Sequence, residues 1–235
     1  MGRSGDLPCP SFFIIFLQFC PACGRGRASF SQLKTISCTG RCKLLWPVFL
    51  FYWDGLYFDS SEKVKNISLL DVCTGSGCIA VSLAKLGGYA DVTALDLSEE
   101  ALKVAKSNGE KLLDHPVKFI KSDMFSALDP ENRYDVIVSN PPYIPSQVIE
   151  GLEPEVKDHE PRMALDGEPD GSKFYRILAE EGKKYLKNGG EIYMEIGWDQ
   201  AKDVTKIFET MGFKGIRTVR DMTGNDRVVC ARKEK

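Results

Sequence analysis

The sequence predicts an α/β domain with a mostly parallel seven-stranded sheet, helices on both faces and an antiparallel strand at its C-terminal end. Three observations predict it. From residue 67 onward, short β-branched or apolar runs alternate with helical patterns. The first run leads straight into the glycine turn Gly75-Ser76-Gly77, and the last two runs are separated by Gly224-Asn225. Alternating βα units argue for a parallel sheet buried on both faces and joined by right-handed crossovers. The Gly-Asn pair argues for a terminal hairpin.

In chain order, Ile67 to Val72 reads as a strand and Cys78 to Leu86 as a helix, with Gly77 between them free to take positive φ. Asp91 to Asp96 is the second strand, followed by a helix from Ser98 to Ser107 or beyond. Val117 to Lys121 is the third strand and ends in a turn at Asp123, and Asp135 to Ser139 is the fourth. A long loop then precedes a helix from Gly171 to Leu186, a strand from Glu191 to Ile196 and a helix from Gln200 to Met211. Phe213 to Val219 and Arg227 to Ala231 are the last two strands.

Two stretches carry chemistry. In Asp71-Val72-Cys73-Thr74-Gly75-Ser76-Gly77, the glycines let backbone approach a ligand, and the helix that follows offers free N–H groups. With Ala80 and the acid Asp96 further on, this turn also satisfies a dinucleotide fingerprint, in which the acid holds ribose hydroxyls. The second stretch, Asn140-Pro141-Pro142-Tyr143, lies at the carboxyl end of a buried strand, where open α/β sheets bind ligands. Proline fixes φ and pushes the preceding residue to extended conformations, so the Asn140 and Pro141 carbonyls are held rigidly as acceptors. An NH2 group presents two donors. The Asn140 side-chain oxygen and the Pro141 carbonyl could take one each, with Tyr143 as a flat wall. A nicotinamide enzyme gives no reason for such a segment, whereas S-adenosylmethionine also has a ribose for Asp96. The combination favours methyl transfer to an amide or amino nitrogen over hydride transfer.

Residues 67 to 235 resemble the release-factor glutamine methyltransferases. Four stretches carry the resemblance: Asp71 to Ala80, Asn140 to Pro145, the loop Glu160-Pro-Arg-Met-Ala-Leu-Asp-Gly-Glu-Pro-Asp-Gly171, and the tail Arg220-Asp-Met-Thr-Gly-Asn-Asp-Arg227. The loop and the tail are more specific than the glycine turn. The resemblance implies a Rossmann-like class I methyltransferase fold with S-adenosylmethionine as cofactor. Its substrate would be the glutamine amide of the Gly-Gly-Gln motif in peptide chain release factors. It also implies that Asp71, Cys73, Thr74, Gly75, Ser76, Gly77, Asp96, Asp123, Met124 and Asn140 line the cofactor, and that Asn140, Pro141, Pro142 and Tyr143 hold the glutamine. Cys73 stands where the family often has glycine, and Met124 where it often has an aromatic residue. No metal is expected in this site, and His115 and His159 fit no catalytic pattern.

Charge separates the two parts of the chain. Residues 1 to 66 hold eight Lys+Arg against four Asp+Glu, a balance of +4, while residues 67 to 235 stand at −6. A catalytic part of that sign, without a basic cluster, argues against an adenine-N6 nucleic-acid methyltransferase, which shares the tetrapeptide but must grip a duplex and flip a base. Direct nucleic-acid binding is therefore not expected. A ribosomal-protein glutamine methyltransferase shares the chemistry and stays a rival, as does a truncated cofactor binder without activity.

In residues 1 to 66 the helical recognition domain of the resembling family is not recognisable; only Tyr52 to Phe58 faintly resembles its hairpin. The apolar run Ser11 to Phe19 is too short to span a bilayer. Cys20, Cys23, Cys38 and Cys42 have spacing compatible with a zinc ribbon. A targeting segment and a leader without a fold of its own are the other readings, and the leader is preferred. Eight cysteines, five of them within residues 1 to 42, do not make a disulfide framework. The chain is expected to be cytoplasmic, monomeric and off the membrane.

Overall fold

The structure, a computed structural model, describes residues 66–153, 160–221 and 223–235. The expectations for the leader, the four cysteines, the run from residue 11 to 19 and the hairpin at 52 to 58 lie outside the described residues, as do His159 and Met222.

Seven strands form one sheet: β1 (Ser68–Val72), β2 (Asp91–Asp96), β3 (Lys118–Lys121), β4 (Tyr134–Ser139), β5 (Leu186–Glu195), β6 (Lys214–Arg220) and β7 (Asp226–Arg232). Their order is β3-β2-β1-β4-β5-β7-β6. The first five strands pair in parallel, and β7 runs antiparallel to both neighbours, as the hairpin signal predicts. Because β1 sends the chain outward to β2 and β3 on one side and β4 continues on the other, the order reverses between β1 and β4. That reversal is where such sheets open a crevice for ligands.

Among the described residues the helices are α1 (Cys78–Gly87), α2 (Glu99–Leu112), the short α3 (Ser146–Ile149) and α4 (Arg162–Leu165), α5 (Lys173–Glu180), α6 (Gly182–Tyr185) and α7 (Ala201–Thr210). α2 is capped as its sequence suggests. Ser98 Oγ accepts the Ala101 N–H at 3.2 Å, and Glu99 and Glu100 sit in the positive first turn. The sheet buries its two faces in two apolar clusters. Leu70, Val72 and Ile137 point to one, with Tyr175, Leu178 and Phe208. Leu69, Val136 and Val138 point to the other, with Ala80 and Leu83. This alternation along β1 and β4 is the period-2 geometry of a strand. Each fully buried Leu or Ile side chain contributes about 1.5 to 3 kcal/mol.

Two element expectations need revision. The helix predicted from Gly171 to Leu186 starts at Lys173, is interrupted at Glu181 and ends at Tyr185; Leu186 already belongs to β5, paired with Tyr134. The strand predicted from Glu191 therefore starts earlier, and its Lys187-Asn188-Gly189-Gly190 stretch contains an irregularity, with Gly189 at φ 81°. Glycines without side chains to pack hid this strand start. The long loop also holds α3 and α4, each only four residues long and too short to show a periodicity.

Candidate active site

The paired residues Val72 and Ser139 end β1 and β4 side by side, and Ser139 Oγ donates to the Val72 carbonyl at 2.7 Å. The next residues are Cys73 and Asn140. The glycine turn and the Asn-Pro-Pro-Tyr segment thus leave the sheet at neighbouring points of one edge, next to the order reversal.

The turn is built from below. Asp71 is fully buried, and its Oδ2 accepts from Thr74 Oγ1 at 2.6 Å and from the Ala80 N–H at 3.1 Å. One carboxylate oxygen thereby ties the start of the turn to the first turn of α1. Its Oδ1 has no hydrogen-bond partner. Burial pushes the Asp71 carboxyl up to about 7, against the two hydrogen bonds, which lower it, and with Asp96 adding to the rise. The Thr74 N–H donates to the Leu95 carbonyl at 2.9 Å, and Asn108 Nδ2 donates to the Ser76 carbonyl at 3.0 Å, so β2 and α2 also hold the turn.

Its two glycines do different things. At Gly77, with φ 78°, an added Cβ would lie 2.8 Å from Ala105 Cβ and 3.1 Å from Ala105 Cα, so the missing side chain lets α2 approach. At Gly75, with φ 57°, an added Cβ would meet nothing within 4 Å. Gly77 is a packing glycine; the space above Gly75 is open and can admit a ligand. Asp96 closes the other side, its Oδ2 accepting from the Gly75 N–H at 2.7 Å and its Oδ1 from the Ser98 N–H at 2.8 Å. It remains partly exposed.

Among the described residues, three non-glycine residues have positive φ: Cys73 at 61°, Met124 at 48° and Glu168 at 70°. Cys73 and Met124 face each other with their sulfurs 3.8 Å apart. Such backbone costs on the order of 1 to 3 kcal/mol per residue, and it collects where the surroundings dictate the shape. Ser122 supplies that constraint for Met124, donating Oγ–H to the Met124 carbonyl at 2.8 Å and accepting the Ala127 N–H at 3.0 Å. Asp123, beside it, is exposed. Burial pushes the Cys73 thiol far up, with Asp96 and Asp71 adding to the shift, so it stays protonated and is no nucleophile.

Asn140 is partly exposed at the tip of β4, and among the described residues nothing hydrogen-bonds its side-chain amide. Pro141 is buried, and Pro142 and Tyr143 are half-buried. The segment is clamped from outside by the loop that the sequence singles out. Ile144 and Asp166 form a parallel bridge; the Ile144 N–H donates to Leu165 O at 3.0 Å, and the Gly167 N–H to Ile144 O at 2.8 Å. Ser146 Oγ donates to Asp166 Oδ1 at 2.6 Å. A Cβ at Gly167 would lie 2.8 Å from the Tyr143 backbone, and one at Gly171 would strike the Tyr143 carbonyl oxygen. This is why the loop needs glycine at both places.

Sequence reasoning missed the group behind Tyr143. The Tyr143 hydroxyl points at Glu195 Oε1, 3.5 Å away. Glu195 is only 1% exposed, and burial pushes its carboxyl up to about 8, opposed by the charge of Arg227 and by the Tyr143 hydroxyl. Tyr175 donates to the Glu195 carbonyl at 3.0 Å, and Arg227 bridges to Asp221 Oδ2 at 3.3 Å. Arg227 and Asp221 come from the tail stretch, which therefore buttresses the site. A conspicuous glutamate at the end of an apolar strand was the available signal.

Comparison with known proteins decides the family: residues 63–227 match the methyltransferase domain. The chain belongs to the methyltransferase domain family. A release factor glutamine methyltransferase of Fusobacterium nucleatum is 42% identical over 174 residues, covering 73% of this chain and 49% of that protein. One of Caulobacter vibrioides is 44% identical over 163 residues, covering 69% of this chain and 56% of that protein. The chain thus spans about half the length of these two curated relatives. Among solved structures, a ribosomal protein L11 methylase from Lactobacillus delbrueckii subsp. bulgaricus superposes with a TM-score of 0.55 at 19% identity, over 74% of this chain and 73% of that one. A methyltransferase from Pyrococcus furiosus gives 0.54 at 21%, over 72% and 76%. At such identity the structures speak for the fold, which is that of class I methyltransferases. The glycine turn leaves β1 where the sheet order reverses, and Asn140 follows Ser139, the β4 partner of Val72. No helix among the described residues is long and apolar enough to cross a membrane.

Proposed function

We propose that this chain transfers a methyl group from S-adenosylmethionine to the side-chain amide nitrogen of the glutamine in the Gly-Gly-Gln motif of peptide chain release factors. The observation that carries the reading is the uncommitted Asn140 amide one residue beyond the Val72–Ser139 pair, next to a glycine turn with open space above Gly75. The two relatives named for this reaction support the choice of substrate.

The cofactor fits the residues present. Gly75 leaves room for it, and Asp96 is partly exposed and has lone pairs for ribose hydroxyls. When bound it supplies an activated methyl on a sulfonium. Asp71 shapes the turn from beneath, and Cys73, Thr74, Ser76, Asp123 and Met124 line its rim.

An amide nitrogen is a weak nucleophile, so placement does most of the work. The Asn140 side-chain oxygen and the Pro141 carbonyl accept the two amide hydrogens and turn the nitrogen toward the methyl. Fixing that nitrogen in a near-attack position would be worth up to roughly 7 to 11 kcal/mol. The same oxygens stabilise the positive charge that develops on the nitrogen. No strong base is required, because a methylated, cationic amide readily releases a proton to water. Incubation with labelled S-adenosylmethionine and a peptide containing Gly-Gly-Gln tests the reading. Label should enter that peptide and not its Gly-Gly-Asn counterpart; equal labelling of both, or of neither, would refute it.

A further inference from the structure

We propose that Gln200 is a positioning residue of the acceptor pocket: its side-chain amide fixes the Tyr143 carbonyl and so sets the geometry of the Asn140 to Tyr143 segment. This rests on the reading that the segment holds the substrate amide. Gln200 stands at the N-terminal end of α7, just past β5, and all of its side-chain polar atoms are engaged. Its Oε1 accepts the Gly197 N–H at 2.9 Å and, 3.3 Å from the Tyr175 hydroxyl, shares that group's one hydrogen with the Glu195 carbonyl. Its Nε2 donates to the Tyr143 carbonyl at 2.9 Å and to the Gly171 carbonyl at 3.4 Å. The orientation of the amide is unambiguous, because the Gly197 N–H can only donate and must face the oxygen. Nitrogen then faces the two carbonyls.

These four bonds join four pieces of chain: the end of β5, α5 through Tyr175, the loop at Gly171 and the Asn-Pro-Pro-Tyr segment. The prolines stiffen that segment internally but remove two N–H groups that could have anchored it. External donors must hold it instead. The Ile144 N–H anchors it on the far side of Tyr143, and Gln200 anchors Tyr143 itself. Packing alone does not explain a glutamine here. Gly171, whose added Cβ would lie 2.7 Å from Gln200 Nε2, leaves room for this amide to reach in.

The test uses Gln200→Glu beside Gln200→Ala. Glutamate has the shape of glutamine and keeps the oxygen that accepts from Gly197 and Tyr175, but it turns a second oxygen toward two carbonyl oxygens. A space-filling role would survive that exchange; a donor role would not. Both variants should bind S-adenosylmethionine within about twofold of the unaltered chain, while kcat/KM for the Gly-Gly-Gln peptide falls ~10- to 100-fold, mostly through kcat. Independently of activity, amide hydrogen exchange at Ile144 and Gly167 should quicken by at least ~10-fold, with β1 amides unchanged. Full activity and unaltered exchange in Gln200→Glu would overturn the proposal. Should the unaltered chain methylate no such peptide, the substrate reading fails, and exchange at Ile144 and Gly167 still decides whether Gln200 holds the segment.

Discussion

Asp96 accepts the Gly75 N–H at 2.7 Å, so the acid at the end of β2 and the glycine turn after β1 form one rigid edge. Its other oxygen is occupied by the Ser98 N–H, which fixes the carboxylate plane at the start of α2. Lone pairs on both oxygens stay free for ribose hydroxyls. Asp96→Ala should therefore weaken S-adenosylmethionine by roughly 1 to 3 kcal/mol, the cost of losing hydrogen bonds to a charged group. Calorimetry measures it; unchanged affinity would contradict this assignment.

The two turn glycines should fail differently when replaced by alanine. Gly77→Ala forces a methyl against Ala105, in backbone that has φ 78°, and should lower stability by about 1 to 3 kcal/mol. Gly75→Ala meets no protein atom and should leave the fold less affected, yet its methyl enters the space assigned to the cofactor. Denaturant unfolding and calorimetry on both variants separate the effects. Equal loss of stability in both would contradict the division of roles.

Asp71 predicts a pH dependence of stability. Its carboxyl, ordinarily at 3.8, is raised to about 7 by burial. The folded chain thus holds a proton there that the unfolded chain has released, so stability falls as pH rises across that window. Asp71→Asn removes the titration while an amide oxygen can still accept from Thr74 and Ala80. Urea midpoints measured without cofactor should decline less from about pH 4.5 to 7.5 in the variant than in the unaltered chain. Parallel slopes would show that Asp71 does not titrate in this range.

Much of this was legible in the sequence, and the reasons are local. Gly75, Gly77 and the acid at position 96 follow strands whose apolar runs are short and bounded, and Gly224-Asn225 marks its hairpin within a few residues. The Asn-Pro-Pro-Tyr segment is likewise readable because proline acts on its own backbone and its neighbour's. What was hidden depends on distant pairs. Gln200 lies 57 residues from Tyr143, and Glu195 lies 52 from it; a glutamate ending an apolar strand marks Glu195 as unusual, but no local pattern names Tyr143 as the partner of either. The start of β5 was hidden for another reason, since Lys187-Asn188-Gly189-Gly190 has turn composition and forms the irregularity between the Tyr134–Leu186 and Val136–Glu191 pairs.

Asn140 carries the account's central claim. The most direct measurement is mass spectrometry of a peptide chain release factor incubated with S-adenosylmethionine and either the unaltered chain or Asn140→Ala, with cofactor affinity measured alongside. The account predicts one methyl group on the amide nitrogen of the Gly-Gly-Gln glutamine, sharply reduced by Asn140→Ala at nearly unchanged cofactor affinity and partly retained by Asn140→Asp, which keeps an acceptor oxygen. Methylation of that glutamine at an undiminished rate by Asn140→Ala, or methylation at any other position, would contradict it.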